Sequence, residues 1–397
     1  MKWEKVKLSE VTEYITDGDH QPAPKSDSGV LFVKIKDIQD NRLTFDNALF
    51  VPQEYYNRLP KNRKAEYGDT LYTVVGSYGI PAFVNHNIPF CFERNIALLH
   101  PNNRVIPKYL YYAVNNRIFY GNANNIANGS AQKLIPLSKL AGMEISVPPI
   151  ERQETIVNIL SAYDDLIENN QKQIKLLEEA AQRLYKEWFI DLRFPGHENV
   201  KIVDGVPEGW ERMVLSEVTS ILKRGISPKY SDNGKYSVIN QKCIRSSIMD
   251  ISESRRQEKE YVPTLNLQDS DTVICSTGTG TLGRVGRVYG DYPNTTFDSH
   301  VTLVRAKENP NYIYHVVKSQ QEYLMGMGRG STNQQELYRD VIERLVVLCP
   351  SQDILLKAER VLNAIHCKIK AVYLQNNLLV ESRDRLLPKL MSGEIEV

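Results

Sequence analysis

One stretch of the sequence has the spacing of a nucleotide-binding loop. Gly278, Gly280 and Gly283 match G-x-G-x-x-G after an apolar run, and in such loops glycines let the backbone approach a pyrophosphate at a helix N-terminus. The residues that follow alternate in polarity and include a further glycine, which favours a strand over a helix. Arg284 and Val285 also stand where a P-loop needs Lys and Ser/Thr. We therefore interpret Gly278–Gly283 as a tight turn between strands and expect no cofactor.

The other residues with chemical potential form no recognisable catalytic or metal pattern. The seven histidines include no H-x-x-x-H spacing, the five cysteines include no C-x-x-C, and no G-x-S-x-G motif occurs. Structural zinc sites and nucleophile elbows depend on such spacings. We expect a protein without its own active site and with no metal.

Composition and charge narrow the class of protein. Hydrophobic residues make up 42% and charged residues 24%, and the net charge is +1, as in ordinary globular proteins. No run approaches the ~18 apolar residues of a membrane helix, and the N-terminus lacks the apolar core of a secretory signal. With dispersed cysteines, these features predict a cytoplasmic protein with reduced thiols and no membrane partner. Residues 1–148 and 210–349 are mildly basic and residues 149–209 acidic, which favours two modules that meet a polyanion.

The sequence repeats itself at an offset of just over 200 residues. Trp3–Thr12 returns as Trp210–Thr219, and Pro107–Tyr111 returns as Pro310–Tyr314. Several shorter matches follow in the same order, which indicates an internal duplication and a molecule with pseudo-twofold symmetry. Proline and glycine residues mark the boundaries between the parts of the chain. They predict a first module over 1–148, a spacer helix over 149–194, a linker over 195–209, a second module over 210–349 and a second spacer helix over 350–397. We call the two modules module 1 and module 2.

A long helix follows each module. Apolar residues recur every three or four positions over residues 156–188 and 358–390, which is typical of a coiled-coil seam. Two independent amphipathic helices, each docked on its own module, are the alternative. Asn170 interrupts the first seam, and Asn376 and Arg383 interrupt the second. If the helices are antiparallel, Asn170 and Asn376 face each other, because buried polar groups need partners.

Several segments resemble the specificity (S) subunit of type I restriction–modification systems. Residues 148–157 resemble the start of that family's first spacer helix, residues 188–196 its end, and residues 386–395 the family's C-terminus. Residues 17–20, 224–230 and 238–242 bear a looser likeness to its target-recognition domains. Residues 349–353 depart from the matching start of the first helix, so the two helix starts are expected to bind partners unequally.

The resemblance implies an α+β fold, in which two pseudo-twofold-related α/β target-recognition domains are separated by a long antiparallel two-helix coiled coil. It implies a non-catalytic subunit that binds a bipartite, asymmetric site in double-stranded DNA. It also implies that two modification (methyltransferase) subunits dock on the helices and that restriction subunits join through them. The assembled complex would be a DNA adenine methyltransferase and endonuclease. The alternatives are a recognition subunit of another restriction class, an orphan DNA-binding adaptor, and a nucleotide-binding enzyme that uses the Gly278–Gly283 loop.

Candidate DNA contacts are polar residues on loops punctuated by glycine and proline, since Arg, Lys, Asn and Gln bond to base edges and phosphates. The alternative for each residue is a solvated surface position or a turn former. In module 1 the candidates are His20, Gln21, Lys34, Lys36, Ser77, Tyr78, Ser130 and Gln132, with Lys34 and Lys36 expected on one strand. In module 2 the candidates are Arg224, Lys229, Tyr230, Asn240, Gln241, Lys242, Thr279, Ser331, Asn333 and Gln334.

Overall fold

The computed structural model describes residues 3–46, 48–129, 133–328, 330 and 335–397. The chain forms two compact units, of which the first comprises Met1–Asn169 with Asn376–Val397 and the second comprises Asn170–Gln375. Each unit therefore combines one module with part of each long helix. The domain limits predicted from sequence punctuation group the residues differently, and they stay predictions.

Module 1 is built from short strands and short helices, and its buried apolar residues, among those described, form three clusters. Its strands are β1 (Glu4–Lys7), β2 (Thr12–Asp17), β3 (Val30–Val33), β4 (Ile38–Gln39), β5 (Arg42–Leu43), β6 (Leu49–Val51), β7 (Thr70–Thr73), β8 (Pro81–Phe83), β9 (Phe90–Phe92), β10 (Ile96–Pro101) and β11 (Glu144–Val147). Its helices are α1 (Leu8–Val11), α2 (Gln53–Arg58), α3 (Pro107–Val114), α4 (Arg117–Ile126) and α5 (Leu137–Ala141).

The long helix α6 (Ile150–Tyr185) follows and continues as a π-helical turn over Lys186–Ile190. The strands of the second half are β12 (Ile202–Val203), β13 (Val206–Pro207), β14 (Glu211–Val214), β15 (Thr219–Arg224), β16 (Tyr236–Ile239), β17 (Arg255–Gln257), β18 (Thr272–Cys275), β19 (Val285–Arg287), β20 (Thr295–Phe297), β21 (Val301–Ala306) and β22 (Val346–Cys349). Its helices are α7 (Leu215–Val218), α8 (Pro310–Ser319), α9 (Gln321–Gly326), α10 (Arg339–Glu343) and the long α11 (Gln352–Ser392).

Three sheets have the same topology in both modules, and module 1 contains the pair β4–β5 in addition. Module 1 contains the pair β1–β11, the four-stranded sheet β2-β10-β7-β8 and the three-stranded sheet β6-β3-β9. Module 2 contains the pair β14–β22, the four-stranded sheet β15-β21-β18-β19 and the three-stranded sheet β17-β16-β20. Within each three-stranded sheet the central strand pairs in parallel with β9 or β20 and antiparallel with the other neighbour. The repeated topology agrees with the duplication inferred from sequence.

A buried aspartate precedes the equivalent strands β7 and β18. Asp69 and Asp271 are 0% and 2% exposed, and each carboxylate accepts the backbone N–H of the residue three positions earlier. His100 bonds to Asp69 at 2.6 Å, whereas Arg305 donates to both oxygens of Asp271 at 2.7 Å. Burial raises the pKa of both carboxyl groups, and the hydrogen bonds oppose this shift. The aspartate at this position is therefore bonded to a different side chain in each module.

The paired helices run antiparallel in the first unit. Asp164 of α6 bonds to Arg383 of α11 at 2.9 Å. Ile156, earlier on α6, shares the core of module 1 with Leu390, later on α11, and both are 0% exposed. Rising residue numbers on one helix thus meet falling numbers on the other.

The second unit repeats this arrangement. Asn170 donates to Gln375 at 3.3 Å, and Leu177 packs in one apolar cluster with Ile365. The two helix segments are therefore antiparallel here as well. The predicted α+β class, with two equivalent modules and an antiparallel helix pair, is confirmed.

A charged hydrogen-bond network joins module 1 to the helices. Tyr112 of α3 donates to Asp164 at 2.6 Å, and the other oxygen of this carboxylate accepts from Arg383. Arg383 also donates to Asp384 at 2.8 Å. The Asp164 and Arg383 side chains are only 19% and 18% exposed, so this ion pair is shielded from salt more than a surface pair.

A pair of imidazoles takes the equivalent place in module 2. In the duplicated sequence, His315 of α8 is the equivalent of Tyr112, and His366 of α11 is the equivalent of Asp164. Their Nε2 atoms lie 3.0 Å apart, and Tyr289 bonds to Nδ1 of His366 at 2.7 Å. Burial, with the nearby Arg287 cation, lowers the pKa of His315 to about 3 and that of His366 to about 2. At neutral pH, both imidazoles of the module 2 junction are therefore uncharged.

We predict that this junction makes the second unit sensitive to acid. The unfolded chain binds protons at both histidines below pH ~6.5, whereas the folded pair stays neutral until pH ~3, so stability falls as the pH falls through this window. His366→Gln should reduce the pH dependence of the unfolding free energy by up to about 1.4 kcal/mol per pH unit. Urea denaturation between pH 7.5 and 4.5 measures this. The control is His20→Gln, at an exposed side chain; an equal effect of both variants contradicts the prediction.

Candidate nucleic-acid interface

A glycine fixes the start of the corresponding surface loop in both modules. Gly225 follows β15, and a Cβ atom there would lie 2.2 Å from the carbonyl oxygens of Phe297 and Asp298. Gly18 follows β2, and a Cβ atom there would lie 2.0 Å from the carbonyl oxygen of Phe92. Only glycine allows this close approach. The loop is therefore held against the end of β20 in module 2 and of β9 in module 1.

Arg224 lies where three segments of module 2 meet. We call the surface formed by these segments and by the loops around residues 225–230 and 240–242 the module 2 surface. The Arg224 guanidinium donates to the carbonyl oxygen of Ser299 and to the Glu336 carboxylate. Glu336 is held in place by backbone pairing with Thr277, which precedes the glycine turn. Three separate segments thus meet at Arg224.

The glycine turn lies beside the predicted Asn240–Lys242 group. Gln241 donates from Nε2 to the carbonyl and hydroxyl oxygens of Thr277, both at 2.8 Å. The Thr277 hydroxyl bonds to Nδ1 of His300 at 2.6 Å. Asn240 is buried, and its side chain accepts the backbone N–H of Lys242 at 2.8 Å. Asn240 therefore caps a turn, while the Lys242 and His300 side chains are exposed.

Lys229 and Tyr230 lie on the loop that follows Arg224. The Arg255 guanidinium stacks over the Tyr230 ring at 3.6 Å from its centroid, and Lys229 pairs with Glu258 at 2.9 Å. Tyr230 is 40% exposed, and burial with the nearby Asp298 carboxylate raises its pKa. A stacked Tyr–Arg pair can contact both bases and phosphates.

In module 1 the equivalent surface surrounds an open cavity of about 410 Å³. His20, Gln21 and Lys34 line this cavity together with Arg94, which sequence analysis did not select. His20 bonds to Asp17 at 2.9 Å. Beside the cavity, the Asp19 carboxylate accepts hydrogen bonds from Tyr55 and Arg63, both at 3.1 Å. These two bonds support the loop that carries His20 and Gln21.

Tyr78 belongs to a separate aromatic cluster beside the module 1 glycine turn. Its ring stacks on Tyr120, with centroids 6.2 Å apart, and its hydroxyl donates to Asn124. Lys133 donates to Asn124 at 3.0 Å and lies over the Tyr78 ring. Tyr120 is 46% exposed, and Ser77 at the tip of the turn is exposed as well.

The structure brings the described candidates of module 2 close to one another, whereas those of module 1 divide between the cavity with His20, Gln21 and Lys34 and the turn with Ser77 and Tyr78. The prediction that Lys36 lies on a strand with Lys34 is wrong, because β3 ends at Val33. Asp37 accepts the backbone N–H of Lys34 at 2.9 Å and bends the chain into a 3₁₀ turn. Thr279 is exposed in the glycine turn. The candidates that lie outside the described residues are Ser130, Gln132, Ser331, Asn333 and Gln334.

Sequence reasoning missed Arg94, His300 and Glu336. The first two follow the equivalent strands β9 and β20 directly, in Glu93-Arg94-Asn95 and Asp298-Ser299-His300. These two residues could have been selected from the sequence, because the internal duplication places polar residues after the equivalent strand in both copies. Glu336 carries no such signal, because its role depends on a contact with a residue 112 positions away.

The predicted contact between Asn170 and Asn376 stays a prediction. Asn170 is 5% exposed and bonds to Gln375 within the second unit. Asn376 is 8% exposed, and its Oδ1 atom has no hydrogen-bond partner among the residues that the structure describes. Both side chains are therefore buried polar groups on the helices.

The Gly278–Gly283 stretch forms a turn between β18 and β19, as expected. Gly278, Gly280 and Gly283 have φ angles of +100°, +76° and +77°, which glycine adopts without strain. The chain continues from this turn into strand β19, whereas in the dinucleotide-binding fingerprint a helix follows the glycines. In the described ranges we find no group of three or more metal-ligating side chains and no helix that is both long and apolar enough to cross a membrane.

Two equivalent modules with polar loop surfaces, joined to an antiparallel helix pair, define a duplicated recognition protein. The sequence matches the family described as type I restriction modification DNA specificity domain over residues 1–179 and 207–354, and the chain belongs to this family. Its function is DNA recognition as the specificity subunit of a type I restriction–modification system, and it is a non-catalytic subunit.

Individual relatives agree with this assignment. The chain is 28% identical to the type I restriction enzyme MjaIX specificity subunit of Methanocaldococcus jannaschii, over 78% of this chain and 74% of that protein. It is 22% identical to the HindI specificity subunit of Haemophilus influenzae, over 92% and 94%. The crystal structure of a type I S subunit from M. genitalium covers 98% of this chain and 96% of its own, with a TM-score of 0.58 and 17% identity, which supports the fold.

Proposed function

We propose that each module contacts one half of a bipartite, asymmetric site in double-stranded DNA through the surfaces described above. We further propose that the helices bind two modification subunits, through which restriction subunits can join, and that the complex acts in the cytoplasm. The observation that carries the proposal is the recurrence of the same loops at the same places with different side chains. Equivalent loops present Glu93-Arg94-Asn95 in module 1 and Asp298-Ser299-His300 in module 2. Different side chains at one position bind different base edges, so the half-sites are unlike.

Two docking positions for a common partner are supported by the exposed apolar residues of the helices. Leu176 and Leu378 are sequence equivalents, and they are 65% and 64% exposed. Exposed leucines at one repeat position of both helices fit two copies of the same apolar partner surface. The modification subunits supply the methyl-transfer chemistry in this arrangement.

Deleting the gene is expected to remove methylation from one bipartite DNA sequence with a fixed spacer and unlike halves. Methylome sequencing of cells with and without the gene measures this. The purified chain alone should transfer no labelled methyl group to DNA, and adding the modification subunit should give a complex with two copies per chain by mass measurement. A continuous motif, or methyl transfer by the isolated chain, contradicts the proposal.

A further inference from the structure

Two basic side chains of the module 2 surface are paired with carboxylates. Arg224 is paired with Glu336, and Lys229 is paired with Glu258. The two ion pairs differ in exposure. Arg224 and Glu336 are 30% and 37% exposed, whereas Lys229 and Glu258 are 76% and 45% exposed. A partly buried pair is less screened by water and salt than an exposed pair, so Glu336 has the stronger hold.

Glu336 lies on an anchored segment of backbone. Its backbone pairs with Thr277, and the next residue, Leu337, donates its N–H to the carbonyl oxygen of Ser276 at 2.8 Å. Leu337 is 1% exposed. The Glu336 side chain is therefore attached to a backbone position that is anchored in the core.

Nε of Arg224 donates to Ser299 and Nη1 donates to Glu336, so a phosphate that contacts both terminal nitrogens of the guanidinium competes with Glu336. The contact releases a counterion from the DNA, but the freed carboxylate recruits a cation from solution, so little net gain remains. Nonspecific DNA offers only phosphates and cannot compensate for this exchange. The correct site is held by base contacts from the surrounding loops, so Arg224 can keep its pair with Glu336 in that complex.

We propose that Glu336 is a specificity-determining residue, which withholds Arg224 from nonspecific DNA. The inference rests on the proposed function, because it requires that this surface of module 2 binds DNA. It adds a distinct role: Glu336 lowers affinity for wrong sequences without contributing to the binding of the right one. Like-charge or competing groups of this kind are a known route to specificity.

The test measures DNA binding by the full-length chain with its modification subunits, on a scrambled duplex and on the duplex found by methylome sequencing. Glu336→Gln keeps the shape of the side chain and removes its charge. We expect nonspecific binding to tighten about eightfold at 0.1 M salt, because one phosphate contact steepens the slope of log K against log salt by about 0.9. Binding to the correct duplex should change less than twofold.

Three variants make the result decisive. Glu343→Gln is the matched control, since Glu343 is exposed to a similar degree and pairs with Arg339 within α10 at 2.6 Å, and it should change neither affinity. Glu258→Gln should tighten nonspecific binding less than Glu336→Gln does. Arg224→Gln combined with Glu336→Gln should remove the gain.

The outcomes separate this inference from the proposed function. If Arg224→Gln weakens DNA binding but Glu336→Gln does not tighten nonspecific binding, the proposed specificity role of Glu336 is wrong. The proposal that this surface of module 2 binds DNA is then supported. If Glu336→Gln weakens binding to the correct duplex more than tenfold, Glu336 contacts DNA directly and the inference is overturned. If no variant of this surface changes DNA binding, the proposed interface is wrong. Should Glu336→Gln fail to fold, Glu336→Asp retracts the charge and should give a smaller gain in the same direction.

Discussion

Replacing residues 210–349 by module 2 of a relative with a different recognition sequence is expected to change one half of the methylated site and to leave the other half intact. Each module has its own sheets and its own set of loops, so base contacts change only where the side chains change. Methylome sequencing of cells that carry the exchanged gene measures both halves in one experiment.

The reciprocal exchange is the control for this result. Replacing residues 1–148 in the same way should change the opposite half, and an exchange of the helix surface alone should change neither. If an exchange of module 2 altered both halves, the two modules would not be independent readers, and the proposed bipartite recognition would be wrong.

Removing Arg305 is expected to cost about 3–5 kcal/mol of unfolding free energy, the range for breaking one side of a buried ion pair. Arg305 donates to both oxygens of Asp271, which is 2% exposed, and also to the carbonyl oxygens of Thr264 and Asn266. In Arg305→Met the buried carboxyl loses the cation that lowers its pKa, so it takes up a proton on folding. The loss should be smaller at pH 5.5 than at pH 8, because a raised pKa gives stability that disappears as the pH rises through it.

Arg385→Met is the matched control, because Arg385 is 76% exposed and pairs with Glu381 on the surface of α11. Such pairs contribute about 0–1 kcal/mol. Urea denaturation of both variants at the two pH values gives the comparison. Equal losses in the two variants, or a loss in Arg305→Met that is independent of pH, contradict the account of Asp271.

The large features of this protein follow from local sequence patterns, and the details of its surfaces do not. Apolar spacing predicts both long helices, and proline in the first turn predicts α3 and α8, because these signals depend on neighbouring residues. The end of β3 before Lys36 was missed because the Asp37 side chain competes with the strand for a backbone N–H. The Arg224–Glu336 pair was missed because its two residues meet only after folding, and sequence offers no periodicity for such contacts.

The differing junctions have a consequence for recombination between genes of this family. A crossover near residue 350 transfers His315 with its module but leaves His366 behind, and so it divides a hydrogen-bonded pair between two parents. A donor with tyrosine at the place of His315, as in Tyr112, brings a partner suited to an aspartate. Crossovers beyond residue 366 keep the pair together. Compatibility between parental genes is therefore set by one residue in the module and one in the helix, in addition to the residues that contact DNA.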